Sequence, residues 1–96
     1  MPARIVVEII DVSDWERYRA YQQQAAPTLQ PYGGTVSLIG TDGEALEGEW
    51  APQTLGVIEF PDAEAARRWY NSPEYVEARK LRQGAARERI ALLKVP

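Results

Sequence analysis

Two glutamates and a stripe of one tyrosine and two arginines are the residues best suited to chemistry in this 96-residue chain. Glu8 stands in "ARIVVEII" and Glu59 in "TLGVIEF", both runs whose β-branched content predicts strands. Two carboxylates held together in a cavity cannot both ionise cheaply, so one pKa rises and a general acid or base results. The alternative is that each pairs with an arginine of its own chain or of a second copy, since structural ion pairs also perturb pKa. Tyr75, Arg79 and Arg82 follow helical spacing, which places a phenol and two guanidinium groups on one stripe. Such a pair can hold a carboxylate bidentately, so a small acidic or polar molecule is one expected ligand. It can equally pair with surface acids, at little gain in stability.

Trp50, in "LEGEW", offers packing at a rim, a pocket wall, or a contact with a second copy, where tryptophan is enriched. Glu44, Glu47 and Glu49 are acidic neighbours but form no recognised calcium loop. The chain has neither histidine nor cysteine. That removes the usual zinc sets, imidazole ligation of haem, disulfides, and any nucleophile that relies on a thiol or an imidazole base. No cofactor and no metal is expected.

The elements that must position these residues fit one domain spanning residues 1–96. "ARIVVEII" (3–10) opens as a strand, with Ile5, Val7 and Ile9 on an apolar face and Arg4, Val6, Glu8 and Ile10 on a mixed one. The apolar face is expected to meet helices, and the mixed face to suit a half-wet cavity. "SDWE" (13–16) reads as a capping box, Ser13 with Glu16, ahead of a helix carrying Trp15, Tyr18, Gln22, Ala25 and Leu29. Pro27 predicts a kink, and "PYGG" a glycine-assisted stop.

"TVSLI" (35–39) alternates as a strand with Val36 and Leu38 facing one way, and "EALEGEW" reads as a ragged strand or hairpin arm. "TLGVIEF" (54–60) sets Gly56, Ile58 and Phe60 opposite Leu55, Val57 and Glu59. Asp62 caps a helix through "AEAARRWY"; Ser72, with Pro73 at the first helical position, caps a second piece carrying Tyr75, Ala78, Leu81 and Ala85. "RRWYNSPEY" (67–75) is accordingly a joint between packed helical pieces, with aromatic bulk in the core. "ERIALLKV" (88–95) closes as a strand.

The order β-α-β-β-α-β describes an α+β, ferredoxin-like domain: a four-stranded antiparallel sheet with helices on one face. The other face would expose Val6, Ile10, Ile39, Leu55, Val57 and Leu93, too much apolar area for water. Pairing sheet to sheet with a second copy, as a homodimer, covers it. The net charge of −3 has its acids in excess before residue 62 and its bases in excess after it. That is a mixed-sign surface, or a positive field toward the C-terminus for an anion or an acidic partner. An acidic chain without base-stacking motifs argues against nucleic acid, and the lack of a long apolar run against a membrane span. With no signal-peptide pattern at the start, a cytoplasmic location is expected.

"GGTVSLIGTDGEALEGEWAP" (33–52) and "VIEFPDAEAARRWYNSPEYVEARKLRQGAA" (57–86) closely resemble the domain-of-unknown-function family 1330, in the dimeric α/β-barrel superfamily. The most specific matches are Gly33-Gly34, Leu46-Glu47-Gly48 with Trp50 and Pro52, Phe60-Pro61, Trp69-Tyr70 with Ser72, Tyr75 and Arg82. The resemblance implies the fold and the dimer, but no settled activity. The wider superfamily holds cofactor-free monooxygenases, isomerases and haem enzymes, and fold alone does not transfer function. The chain departs from the family pattern at two positions where many members carry arginine: here they are Ile39 and Thr54.

Two readings follow. In the first, a homodimer has a small-molecule site between sheet and helices, with Glu8, Glu59, Tyr75 and Arg82 as polar members and cofactor-free proton-transfer or oxygenase-type chemistry. In the second, the dimer is a non-catalytic binder or a structural protein whose charged residues are ion-paired.

Overall fold

The computed structural model describes residues 1–96. Four strands form one antiparallel sheet: β1 (Ala3–Val12), β2 (Thr35–Thr41), β3 (Thr54–Phe60) and β4 (Ala86–Lys94), in the spatial order β2-β3-β1-β4. The helices α1 (Trp15–Ala25), α2 (Ala63–Tyr70) and α3 (Pro73–Arg79) complete a ferredoxin-like βαββαβ chain path. Ile5 and Phe60 on the sheet join Ala25, Leu29, Ala65, Ala66, Trp69, Tyr75 and Ala78 in the buried core. The apolar face of β1 therefore does meet the helices.

Helix α1 is capped by Asp14, whose carboxylate accepts from the Arg17 amide at 3.1 Å, and not by Ser13. The Ser13 hydroxyl instead donates to the Gly84 and Ala85 carbonyls, each at 3.2 Å, tying the helix entry to the start of β4. With that hydroxyl engaged, the capping box with Glu16 is not formed. Pro27 does more than kink α1: the α-helix stops at Ala25 and gives way to 3₁₀ turns over Ala26–Thr28 and Gln30–Tyr32. Gly33 takes φ of 76° at their end, where a side chain would be strained.

The joint in "RRWYNSPEY" forms as its residues dictate. Asp62 caps α2 by accepting from the Ala65 amide at 2.7 Å. Ser72 caps α3, accepting from the Tyr75 amide at 3.2 Å while donating to the Trp69 carbonyl at 2.8 Å. Trp69 and Tyr75 are buried with ring centroids 4.0 Å apart, and Trp69 Nε1 donates to Thr28 Oγ1 at 2.9 Å.

Two expectations fail in the middle of the chain. Residues 44–50 form no strand, because β2 and β3 already pair along their lengths up to Thr41 opposite Thr54, and what remains is the connecting loop. Val36 and Leu38 do not share a face either. The β2–β3 register shifts between them, so that Val36 opposes Ile58, Leu38 opposes Val57 and Ile39 opposes Gly56. Ser37 is an extra residue in a β-bulge, which turns Leu38 to the open face and Ile39, with Val36, to the helix side.

Candidate functional site

A cavity of about 280 Å³ lies between the sheet and the helices. Its floor is Ile5, Val7 and Ile9 of β1 with Gly56 and Ile58 of β3 and Ile90 of β4; its roof is α1, through Tyr18, Tyr21, Gln22 and Ala25, with Leu29 beyond. Trp69 and Tyr75 close one side, and Val36, Ile39 and Thr54 line the β2 side. The mixed face of β1, expected to suit a cavity, is not the face that holds it.

Gly56 makes room in the floor. A Cβ built on it would meet nothing nearer than the Leu38 carbonyl at 4.0 Å, so its missing side chain is vacated volume and not a steric requirement. No charged side chain lines the cavity. Its polar groups are the Gln22 amide, the Thr54 hydroxyl and three phenols.

Those phenols are held by a buried network. Tyr18 donates to Glu88 Oε1 in a short hydrogen bond, and the hydroxyls of Tyr21 and Tyr75 share a proton across 2.8 Å. The Glu88 side chain is 1% exposed and Arg82 lies beside it, Nη1 to Oε2 at 3.3 Å. That approach has the distance of an ion pair without the geometry of a hydrogen bond, and Arg82 Nε and Glu88 Oε2 have no hydrogen-bond partner. Arg82 also stands 5.4 Å from the Tyr21 ring centroid. Burial pushes the Tyr18 phenol well above its ordinary range, reinforced by the hydrogen bond to Glu88 and its charge. Burial does the same to Tyr21, reinforced by Tyr75. For Arg82, burial works against the charge, but Tyr75 and Glu88 outweigh it and the guanidinium pKa rises.

The residues singled out in sequence are thus divided. Tyr75 lines the cavity and Arg82 supports its phenols. Arg79 stacks on Tyr70, its guanidinium carbon 4.3 Å from that ring centroid and 5.6 Å from that of Tyr75, and it does not line the cavity. Glu8 and Glu59 are on the opposite face of the sheet and are not neighbours. Glu59 is level with Arg4 and Glu8 with Leu55, four residues along β1, or roughly 13 Å at the rise of a strand. Each carboxylate has its own arginine: Arg4 to Glu59 at 2.7 Å and Arg89 to Glu8 at 2.7 Å. Trp50 is in the loop, 49% exposed, against Gly43, where an added Cβ would come within 2.3 Å of the indole nitrogen. It flanks a groove with Trp15 and does not touch the cavity.

Glu88 and Tyr21 carried no role in the sequence reading. The signal for Glu88 was its period-two relation to Ile90 and Leu92, which puts it on the helix side of β4. Tyr21 lies one turn from Tyr18 and one residue before Gln22, at the edge of the helical stripe.

The family described as "Domain of unknown function (DUF1330)" matches residues 2–95. The chain belongs to this family. No functionally curated protein matches it. Among solved structures, RPA0582 of Rhodopseudomonas palustris, a protein of unknown function, is similar at a TM-score of 0.82 and 25% identity, covering 99% of this chain and 82% of that one. A dimeric ferredoxin-like protein of unknown function from Jannaschia sp. CCS1 is similar at 0.71 and 12% identity, covering 99% and 100%. SnoaB from Streptomyces nogalater, a cofactor-independent oxygenase, is similar at 0.69 and 10% identity, covering 99% and 93%. The last two likenesses concern the fold alone. Ile39 and Thr54 both line the cavity. No helix is long and apolar enough to cross a membrane.

Proposed function

We propose that this DUF1330 protein is a homodimer that binds a small, uncharged, largely apolar molecule in the cavity between sheet and helices. The observation that carries this is the cavity's lining: aliphatic walls, phenols at one end and no charge. Sites for small organic molecules are typically apolar hollows with a few placed polar groups. The uncharged Ile39 and Thr54 on the lining, with Arg79 and Arg82 both off it, support an uncharged ligand over the acidic one that the two arginines suggested. An apolar hollow of this kind suits cofactor-free proton-transfer or oxygenase-type chemistry on a ligand that is itself reactive, and SnoaB is a fold relative described as a cofactor-independent oxygenase.

The homodimer covers the open face. Leu38 and Leu93 are each 53% exposed there, beside Val6, Leu55 and Val57. We assign Glu8 and Glu59 a structural part on that face, since each is already paired within its own chain. A dimer interface of ordinary size buries about 1,600 Å² in total. Replacing Leu38 with Lys is expected to convert a dimeric sedimentation profile to a monomeric one.

The binding reading is tested by titrating naphthalene into the protein and following the methyl resonances of Ile5, Ile58 and Ile90. Shifts confined to the cavity are expected, and they should vanish in Gly56→Leu, whose side chain fills the floor. Binding that survives Gly56→Leu unchanged would place the ligand elsewhere and defeat the proposal.

A further inference from the structure

We infer that the phenol end of the cavity selects a hydroxyl group on the ligand, a neutral phenol or enol, and that Glu88 is the positioning residue that creates this preference through Tyr18. The inference rests on the binding reading above and specifies its ligand.

A phenol has one proton to donate and lone pairs that accept. The proton of Tyr18 is committed to Glu88 Oε1, so toward anything else Tyr18 Oη can only accept. Glu88 cannot turn away to water, because its side chain is 1% exposed and Arg82 is beside it. Tyr18 is itself 2% exposed. Tyr21 and Tyr75 hold two protons between them and use one in their mutual hydrogen bond, whichever is the donor. The other is free to donate.

Tyr18, Tyr21 and Tyr75 all line the cavity and no cation does, so a ligand that reaches their hydroxyls meets an acceptor at Tyr18 and a donor at the Tyr21–Tyr75 pair. A hydroxyl satisfies both at once, donating to Tyr18 and accepting from the pair. A carboxylate cannot donate to Tyr18, and the nearest cation, Arg82, lies off the lining and is already beside Glu88. A plain hydrocarbon leaves both groups unpaired. A hydrogen bond passed from Tyr18 to Glu88 also polarises the phenol and strengthens it as an acceptor.

Three probes of one shape separate these cases: naphthalene, naphthol and naphthoate, titrated at neutral pH into the intact protein. Naphthol should bind about tenfold or more tightly than naphthalene, in keeping with one well-made buried hydrogen bond. Naphthoate should bind most weakly. Tyr18→Phe should bring naphthol down to the naphthalene level while naphthalene itself is unaffected. Glu88→Gln should lower the naphthol-to-naphthalene ratio as well, because its amide can donate to Tyr18 Oη and compete for the acceptor. The ratio is the telling quantity, since damage to the fold lowers both affinities together. Equal binding of naphthol and naphthalene, a ratio unchanged in both variants, or a preference for naphthoate would each overturn the hydroxyl inference and leave the cavity reading standing. Failure of all three probes to bind would overturn both.

Discussion

The two faces of the sheet carry carboxylates of opposite character. On the open face, Glu8 and Glu59 sit level with arginines or one strand away from them, and water reaches both pairs: the Glu59 side chain is 44% exposed and that of Glu8 29%. On the helix face, Glu88 is almost completely enclosed, with a phenol on one oxygen and an imperfectly aligned arginine near the other. The same residue type on the same sheet is a solvated surface charge in one case and a buried polar anchor in the other. What differs is the company each strand face keeps. A residue's chemistry here follows from its parity along the strand more than from its neighbours in sequence.

Substitutions on the two faces should differ in cost. The largest effect is expected on the helix side from Trp69→Ala, which removes a 3%-exposed indole stacked on Tyr75 and should cost about 3–5 kcal/mol. Chemical denaturation measures it, and a loss under ~1 kcal/mol would mean that the joint is not core. Next comes Glu88→Gln. Leaving Arg82 enclosed without its charged partner should destabilise by about 2–3 kcal/mol, whichever end of the new amide faces Tyr18. A neutral result would erase the difference between the faces.

Alkaline pH probes the same side. Folded pKa values of Tyr18 and Tyr21 lie above the ordinary phenol value, so the unfolded chain loses these protons first. Their contribution to stability is complete below pH ~10 and is lost as the pH rises past it, by at most about 1.4 kcal/mol per phenol over the first unit. Thermal melts between pH 9 and 11, compared with Tyr18→Phe, should show a shallower fall in the variant. The smallest effect belongs to the open face. Glu59→Gln removes a partly exposed ion pair and should cost about 1 kcal/mol or less in the monomer. A cost matching that of Glu88→Gln would show the open face to be as dry as the cavity, as a tightly closed dimer would make it.

Much of this was legible in sequence where local chemistry decides. Asp62 and Ser72 as caps, Pro73 at a first helical position, Gly33 at a chain reversal and the faces of β1 and β3 follow from side-chain size, hydrogen-bonding capacity and period-two alternation. Misread features depend on partners distant in the chain. Ser13 was drawn off its capping role by carbonyls of Gly84 and Ala85. Ile39 changed face because of a bulge that exists only in the pairing of β2 with β3. Of the residues around the cavity, helical spacing singled out Tyr75, which lines it, and Arg82, which stands behind its phenols. Glu8 and Glu59 share a face but stand far apart in register, which alternation alone does not reveal. Glu88 was overlooked because a charged residue at the start of a strand looks like an end in solvent.

The bulge at Ser37 has a consequence for how the length of this chain can vary. β2 is an edge strand, paired only with β3, and carries one residue more than that partner requires. Deleting Ser37 would leave Val36 and Ile39 toward the helices and Leu38 outward, now in a regular ladder. Inserting a residue after Leu38 would reverse Ile39 and everything up to the loop. β2 can therefore shorten by one without exchanging its inner and outer surfaces, but it cannot lengthen by one on the same terms. The strand holds a spare unit of sequence, usable in one direction only.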